Sequence, residues 1–585
     1  MLRRGRWGLA VWAAVLGGAV GFAIGCGDDS TSTPIRRGSG DDDAGGAASA
    51  SPGTGPYGDA EALAWLQKEC AACHGIDANG SPAINASQWA MPKELTRGWL
   101  ESTVDTADVY QTLLLASQKK STGFPVAMPP NALSDDTKRA EVDRMLQWMR
   151  ITQPLAVLDA NEVYGNPSDQ AAPNISFVCT KNATLRRFFA NFTAAAYERA
   201  PTVQELAALP AADLDVDVKP EARRAIVAQL DDDKHKDEFV EHGLRRLAIA
   251  IGGAPNISPG GAITPEIAKE LETEFYALLQ DRWATARYRS LFHDDTVMVS
   301  ASTAPIYGCD PPTNGADAGA DAPVPRTACV MSAPRHGFFS TLGFLNSKQS
   351  SFLITNNNYG RVAFLYFTLF GGVPRAATSG PSGSTAAALP SCLEGADSRS
   401  LVGAAFGTHA IPEVGAFCQG CHLYKGLAAG SVLFRPFSTR GLVYDPAAVG
   451  AGESGPGDED FILKNALTAD RKLEDGTLTK VNADFLSSLA SNSLNAPASC
   501  LPTSDPKNPF VTFKHVGELA DFLLGRSISL ATGFTRHAHR AFANSSTPSA
   551  EMILRVYSAL QKDGTLHDLA MAYFNSDSFA CDGAP

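Results

Sequence analysis

A chain of 585 residues is too long for one ordinary hydrophobic core, so several domains are expected. Charged residues make up 19% and hydrophobic residues 44%, with 52 Gly and 36 Pro, which fits globular units joined by loose small-residue linkers. The formal net charge of −13 argues against a nucleic-acid partner or an anionic membrane surface, because phosphates would be repelled.

Arg3, Arg4 and Arg6 form a basic head, and an apolar run from Trp7 to Ile24 follows. Residues 1–26 therefore read as a targeting segment and are excluded from the fold. A cysteine directly after Ala23-Ile24-Gly25 resembles a bacterial lipobox, which implies cleavage before Cys26 and lipid on its thiol. An ordinary secretory signal with an incidental cysteine is the alternative. Both readings carry the mature chain out of the cytoplasm, to the periplasm or the outer membrane, and the first adds a lipid anchor in the membrane. Residues 27–58, rich in Ser, Thr, Gly, Ala and Asp, read as a flexible linker.

Residues 59–152 form the first expected domain. Asp59 is placed to cap a helix in which Leu63, Leu66 and Cys70 recur at helical spacing. That helix runs into Cys70-Ala71-Ala72-Cys73-His74, the attachment signature of c-type haem. Cys70 and Cys73 would form thioethers to the porphyrin, and His74 would be the proximal iron ligand. The same spacing also suits a zinc knuckle or a disulfide between the paired cysteines. Ala127-Met128-Pro129-Pro130 offers a thioether sulfur in a proline-stiffened loop, 54 positions beyond His74, so Met128 is the expected distal ligand. Met91, only 17 positions beyond, is a rival too near to loop round the porphyrin. Ser134-Asp135-Asp136 opens a closing helix whose Val142, Met145, Leu146 and Met149 form a buried stripe. The two helices are expected to cross and to shield one haem edge.

The helix before the haem motif, Met128-Pro129-Pro130 and the closing helix with Trp148 together resemble a small class I cytochrome c over roughly 90 residues. The resemblance implies one-electron transfer, with both axial positions of the iron filled.

Beyond this domain the chain reads as mostly α. Residues 183–308 are expected as a helical domain. In it Leu185 to Tyr197 is apolar at helical spacing, and Thr202-Val203-Gln204-Glu205 is a capping box. Pro220 to Gly252 carries two amphipathic segments, and a long helix is expected from Thr264-Pro265 through Tyr288. Asp231 to Lys236 is a charge run expected as a solvated turn. No nucleophile–base or phosphate-loop signature occurs here. Cys179, Cys309, Cys329, Cys392, Cys500 and Cys581 permit up to three disulfides in 15 connectivities, with Cys309–Cys329 the first choice.

Residues 330–445 are expected as a module ending in a second haem motif, Cys418-Gln419-Gly420-Cys421-His422, and 460–585 as a C-terminal helical module. Cys418 and Cys421 are the expected thioether cysteines and His422 the iron ligand, which gives two covalently attached haem c groups. A diffuse set of short motifs supports this order. It comprises Ser290 to Asp295, Pro305 to Gly308, Arg335 to Ser340, Gly360-Arg361, Phe434 to Gly441, Phe534 to Ala543 and Leu566 to Phe579. Together they resemble large exported bacterial cytochromes whose helical middle and C-terminal domains have no known function. The chain departs from them at Phe434-Arg435-Pro436-Phe437, where that family tends to carry an acidic residue followed by Phe-Asp.

No methionine occurs between Met331 and Met552, so the second haem has no counterpart of the Met128 loop. Its distal ligand is left open among Met331, His336, His409, His515, His537, His539 and His567, or water. The sequence thus reads as a mostly α, exported, lipid-anchored dihaem cytochrome passing single electrons between redox protein partners. A peroxidase-like dihaem enzyme with an open second iron is one alternative, and a surface binding scaffold with a cytochrome electron inlet is another.

Overall fold

The computed structural model describes residues 55–74, parts of 91–119, most of 134–166, most of 179–259, 262–312, 324–347, 358–372, short pieces of 433–443, 499–502 and nearly all of 510–581. These residues are mostly helical. The first group comprises α1 (Asp59–His74), α2 (Thr106–Ser117), α3 (Asp136–Thr152) and α4 (Pro154–Tyr164). Asp135 starts α3 as its sequence predicts, accepting from the backbone N–H groups of Thr137 at 2.8 Å and Lys138 at 3.3 Å. Val142, Met145, Leu146 and Met149 then point inward onto Trp65 and Leu66 of α1 and Tyr110, Leu113 and Leu114 of α2.

The expected boundary at Thr152 falls before the end of this group. Pro154 cannot donate to a preceding turn, so α3 stops and α4 begins with proline at its first position, where the missing donor costs nothing. Val157 and Ala160 of α4 complete the small core.

The larger part begins with α5 (Leu185–Tyr197) and α6 (Val203–Ala207), which opens with the expected Thr202–Glu205 capping box. It continues through α7 (Pro220–Val227) and α8 (Asp233–Phe239), then a π-turn at Val240–Leu244 leads into α9 (Arg245–Gly252). The long helix expected to Tyr288 is instead α10 (Pro265–Leu271) and α11 (Glu274–Arg282). The break has a local cause. Thr273 turns back, its hydroxyl donating to the Glu270 carbonyl at 3.1 Å, and Arg326 donates to the Thr273 hydroxyl at 2.8 Å.

Next come α12 (Ser290–His293), β1 (Thr296–Val299), α13 (Ala304–Tyr307) and β2 (Thr327–Val330), the strands pairing antiparallel with Val297 opposite Cys329. Then follow α14 (Leu342–Asn346) and α15 (Asn358–Phe370), the antiparallel hairpin of β3 (Ser499–Pro502) and β4 (Phe510–Phe513), and four helices. These are α16 (Val516–Leu524), α17 (Ser527–Ala543), α18 (Ala550–Gln561) and α19 (Leu566–Phe574).

One hydrophobic core takes residues from Ala183 to Ala580, so the three expected modules after the first domain all contribute to it. At its centre α17 packs on α9, α15 and α18. Among the described residues two disulfides close the structure. Cys309–Cys329 is the expected pair, with Cα atoms 6.0 Å apart. Cys179–Cys581 joins residues 402 positions apart, with Cα atoms 5.6 Å apart. Disulfides of this kind belong to an oxidising compartment. Among the described residues no helix is long and apolar enough to cross a membrane.

Two predictions follow from these joints. Cys581→Ser releases the 402-residue loop and is expected to cost roughly 6 kcal/mol in the loop-entropy account, read by denaturant unfolding. The first turn of α17 has no side-chain cap of its own. Instead Glu162 of α4 accepts from the Ile528 N–H at 2.8 Å, and Asp159 accepts from the Ser529 hydroxyl at 3.1 Å. Glu162→Ala is expected to cost about 1 kcal/mol, the size of a lost helix cap, measured in the same way.

Candidate functional site

At the first motif, α1 runs unbroken through Cys70 to His74, so positions 70, 73 and 74 fall on one helical face at i, i+3 and i+4. The half-buried Cys70 packs against the small core. α3 crosses this helix and is held to it by two indoles. Trp65 donates to Glu141 at 3.1 Å, and Trp148, 2% exposed, donates to Asp59 at 2.8 Å. Asp59 was expected as a cap; its carboxylate is instead the acceptor for Trp148. Lys138 bridges Glu69 and Glu141. Burial works against the Glu141 carboxylate, but hydrogen bonds from Lys138 and Trp65 outweigh it and hold its pKa below the usual range. Met145 and Met149 are fully buried in the core, and Met91 is also buried. Cys73 and His74 are placed by the helix backbone alone, while Met128 and Cys26 lie outside the described residues.

Cys418, Cys421 and His422, together with His409 and Cys392, also lie outside the described residues. The chain just beyond the motif is anchored: Leu433, Phe434 and Phe437 are buried in the large core. The guanidinium of Arg335, 3% exposed, donates to the Gly441 carbonyl at 2.7 Å and lies 5.2 Å from the ring centroids of both Phe437 and Tyr307.

The structure assigns different work to the histidines considered for the second iron. His537 is enclosed, its Nε2 2.9 Å from the Phe367 carbonyl and 3.1 Å from that of Thr368. Burial pushes its pKa down to about 3, so it is neutral and donates to the end of α15. His539 meets the Tyr573 hydroxyl at 3.0 Å through Nδ1. His567 lies 2.9 Å from Asp231 and edge-on to Trp283. Met331 is buried in a small cluster with Val297, Val299 and Tyr307. His336 and His515 stand apart: their rings stack with centroids 3.9 Å apart, and both are partly exposed.

The charge run at 231–236 is more than a solvated turn. His235 is 9% exposed, with Nδ1 2.9 Å from Asp232 and its ring stacked on Tyr197. It adjoins Glu205, whose pKa is pushed down to about 2 by hydrogen bonds from Arg199. Sequence reasoning had no signal for Glu205, which reaches His235 from a separate element, 3.4 Å from its Nε2, and is itself held by Arg199. The same holds for the enclosed Glu274, whose carboxylate accepts from Tyr307 and from the Gly343 N–H, each at 2.7 Å. Among the described residues no three His, Cys, Asp or Glu side chains form a group that would hold a metal ion. Comparison with family models, curated proteins and solved structures finds no match.

The indole anchors can be tested directly. Trp148→Phe and Asp59→Ala each remove the 2.8 Å bond and are expected to cost about 1–2 kcal/mol in thermal unfolding. The double variant should lose less than the sum of the two, since both changes delete one interaction.

Proposed function

We propose that this chain is an exported, lipid-anchored c-type cytochrome with two covalent haems, passing single electrons between extracytoplasmic redox partners. The observation that carries the reading is Cys70-Ala71-Ala72-Cys73-His74 on the last turn of a helix to which a second amphipathic helix is hydrogen-bonded. A second motif of the same spacing at 418–422 supports it. Thioether attachment in bacteria follows export, so the basic head, apolar run and Cys26 fit the same scheme.

In this reading Cys70 and Cys73 would tether one haem, and His74 and Met128 would ligate its iron. Cys418, Cys421 and His422 do the same work for the second. Bound haem supplies a reversible one-electron couple at iron. The surrounding residues exclude water and fix geometry. Met145, Met149 and Trp148 fill the core beside α1, and the Trp148–Asp59 bond sets how α3 lies across it.

The alternative, a dihaem redox enzyme with an open second iron, differs from this reading only at the distal side of the 418–422 haem.

A pyridine haemochrome assay of the exported protein is expected to count two c haems per chain. Cys70→Ser/Cys73→Ser and Cys418→Ser/Cys421→Ser should each remove one. A count of zero overturns the proposal, and a count of one in the wild type removes the 418–422 site from it. Carbon monoxide difference spectra of the Cys70→Ser/Cys73→Ser variant then decide between carrier and enzyme, since only an open or weakly closed iron takes up the gas.

A further inference from the structure

His515 occupies an unusual position for a histidine: it is the N-cap of α16. Its backbone is extended, and its ring Nδ1 accepts from the Glu518 N–H at 3.4 Å. An imidazole nitrogen accepts only while it carries no proton, so this contact assigns His515 the neutral tautomer with hydrogen on Nε2. Asparagine, aspartate, serine and threonine cap a helix at any ordinary pH. Histidine caps only above its own titration.

The ring stacked on it is His336, 3.9 Å away between centroids and tilted by 25°. The approach is close because residue 517 is glycine: an added Cβ there would lie 3.0 Å from both the His336 Cβ and the His515 Nδ1. His336 Nδ1 lies 3.4 Å from one carboxylate oxygen of Asp295, while the other oxygen accepts from the Gly337 N–H at 2.7 Å. A proton on His515 would place a cation face to face with this ring.

The remaining charges around the pair are accounted for. From α16 itself, Glu518 lies 3.7 Å from His515 Nε2 and accepts from the Lys514 N–H at 2.6 Å. Asp521, one turn further on, is paired with His293 of α12. Asp294, beside Asp295, is paired with Arg282 at 2.9 Å. Both histidine side chains are about a third exposed, 28% and 34%, so protons reach them from solvent.

The geometry points to a proton-operated switch: protonation of His515 in the stacked His336–His515 pair uncaps α16 and releases its first turn from the 3-10 turn at Phe338–Ser340, on which α16 packs. Val516 and Leu519, each 1% exposed, lie in the segment set loose. Burial first, and the neighbouring His336 second, hold His515 below the ordinary histidine pKa. A group so held stabilises the fold fully above its unfolded value of about 6.5, and that contribution is lost as pH falls below it. His293 has the opposite sign. Its hydrogen bond to Asp521 raises its pKa, so that tie is complete below about 6.5 and fades as pH rises through the folded value. Acid therefore loosens the beginning of α16 while its later part stays fastened. The switch needs no haem and takes neither ring as a ligand of the second iron.

Hydrogen exchange read by mass spectrometry on the full chain, at pH 7.5 and 5.5 after correction for intrinsic rates, tests it. Amides of residues 516–519 are expected to lose about fivefold protection in acid, the effect of one lost cap, while peptides from α17 and α18 stay unchanged. His515→Asn, which caps without titrating, should hold the neutral-pH protection at both values. Equal protection of the wild type at the two pH values would overturn the proposal. So would a His515→Asn chain that opens in acid as the wild type does. His336→Asn, which leaves the cap but removes the neighbour that helps hold His515 down, should move the opening to higher pH; an unmoved midpoint would remove His336 from the switch.

Discussion

Helix ends are the constraint on which this structure turns. A helix leaves backbone N–H groups without partners at its start and carbonyls at its end, and burying them unpaired costs free energy. Here α17 lies inside the protein, and other parts of the chain meet the need. Glu162 and Asp159 of α4 serve its first turn, adding negative charge where the helix dipole favours it. In return α17 serves the end of α15, through His537 at the Phe367 and Thr368 carbonyls and Arg540 at the Gly371 carbonyl, 2.8 Å away. A side chain at position 533 would overlap the Leu369 carbonyl, so glycine there lets the two helices come close enough for these bonds. A helix that both receives and supplies caps cannot be removed without leaving polar groups stranded elsewhere.

The same reasoning explains the ionic residues inside the large unit. Glu274 is enclosed and its pKa raised by burial, yet it accepts from Tyr307 and Gly343. Tyr307 in turn accepts from the Leu342 N–H at 2.6 Å. Arg335 donates to carbonyls at Ser340 and Gly441 and lies over two aromatic rings. Replacing such a set by apolar side chains is often neutral or stabilising, whereas removing one partner strands the others. Its effect is on specificity: α11, α13, α14 and the chain at 441 fit together in one register.

What was legible in the sequence was local. Thr202 and Glu205 lie three positions apart, and Asp135 touches the two amides next along the chain, so capping chemistry could be read directly. Cys309 and Cys329 flank a single loop, which brings them together without knowledge of the fold. The Thr264–Tyr288 stretch misled because its helical periodicity says nothing of Arg326, which arrives from 53 positions away to stabilise the break at Thr273. Cys179–Cys581, the His336–His515 stack and the Glu162 cap join residues 402, 179 and 366 positions apart, and no periodicity encodes such pairings. At the first haem motif the helix carrying Cys70 was legible. The acceptor role of Asp59 was not, since it depends on where Trp148 ends up.

The helix that the sequence left unassigned proves to be the one joining the two cores. Residues 154–164 read Pro-Leu-Ala-Val-Leu-Asp-Ala-Asn-Glu-Val-Tyr, with apolar side chains around most of the circumference, the pattern of a helix covered on more than one side. Val157 and Ala160 enter the small core, whereas Leu155 and Leu158 pack against the large one. Domains of one chain ordinarily move relative to one another unless an apolar interface holds them. Here a single helix contributes to both interiors, and its carboxylates cap the central helix of the second. The unit carrying Cys70 is thereby fixed to α17 by burial and hydrogen bonding together. On the function proposed above, a group tethered to α1 would keep a constant distance to the large core and would not sample it by diffusion of a loose domain.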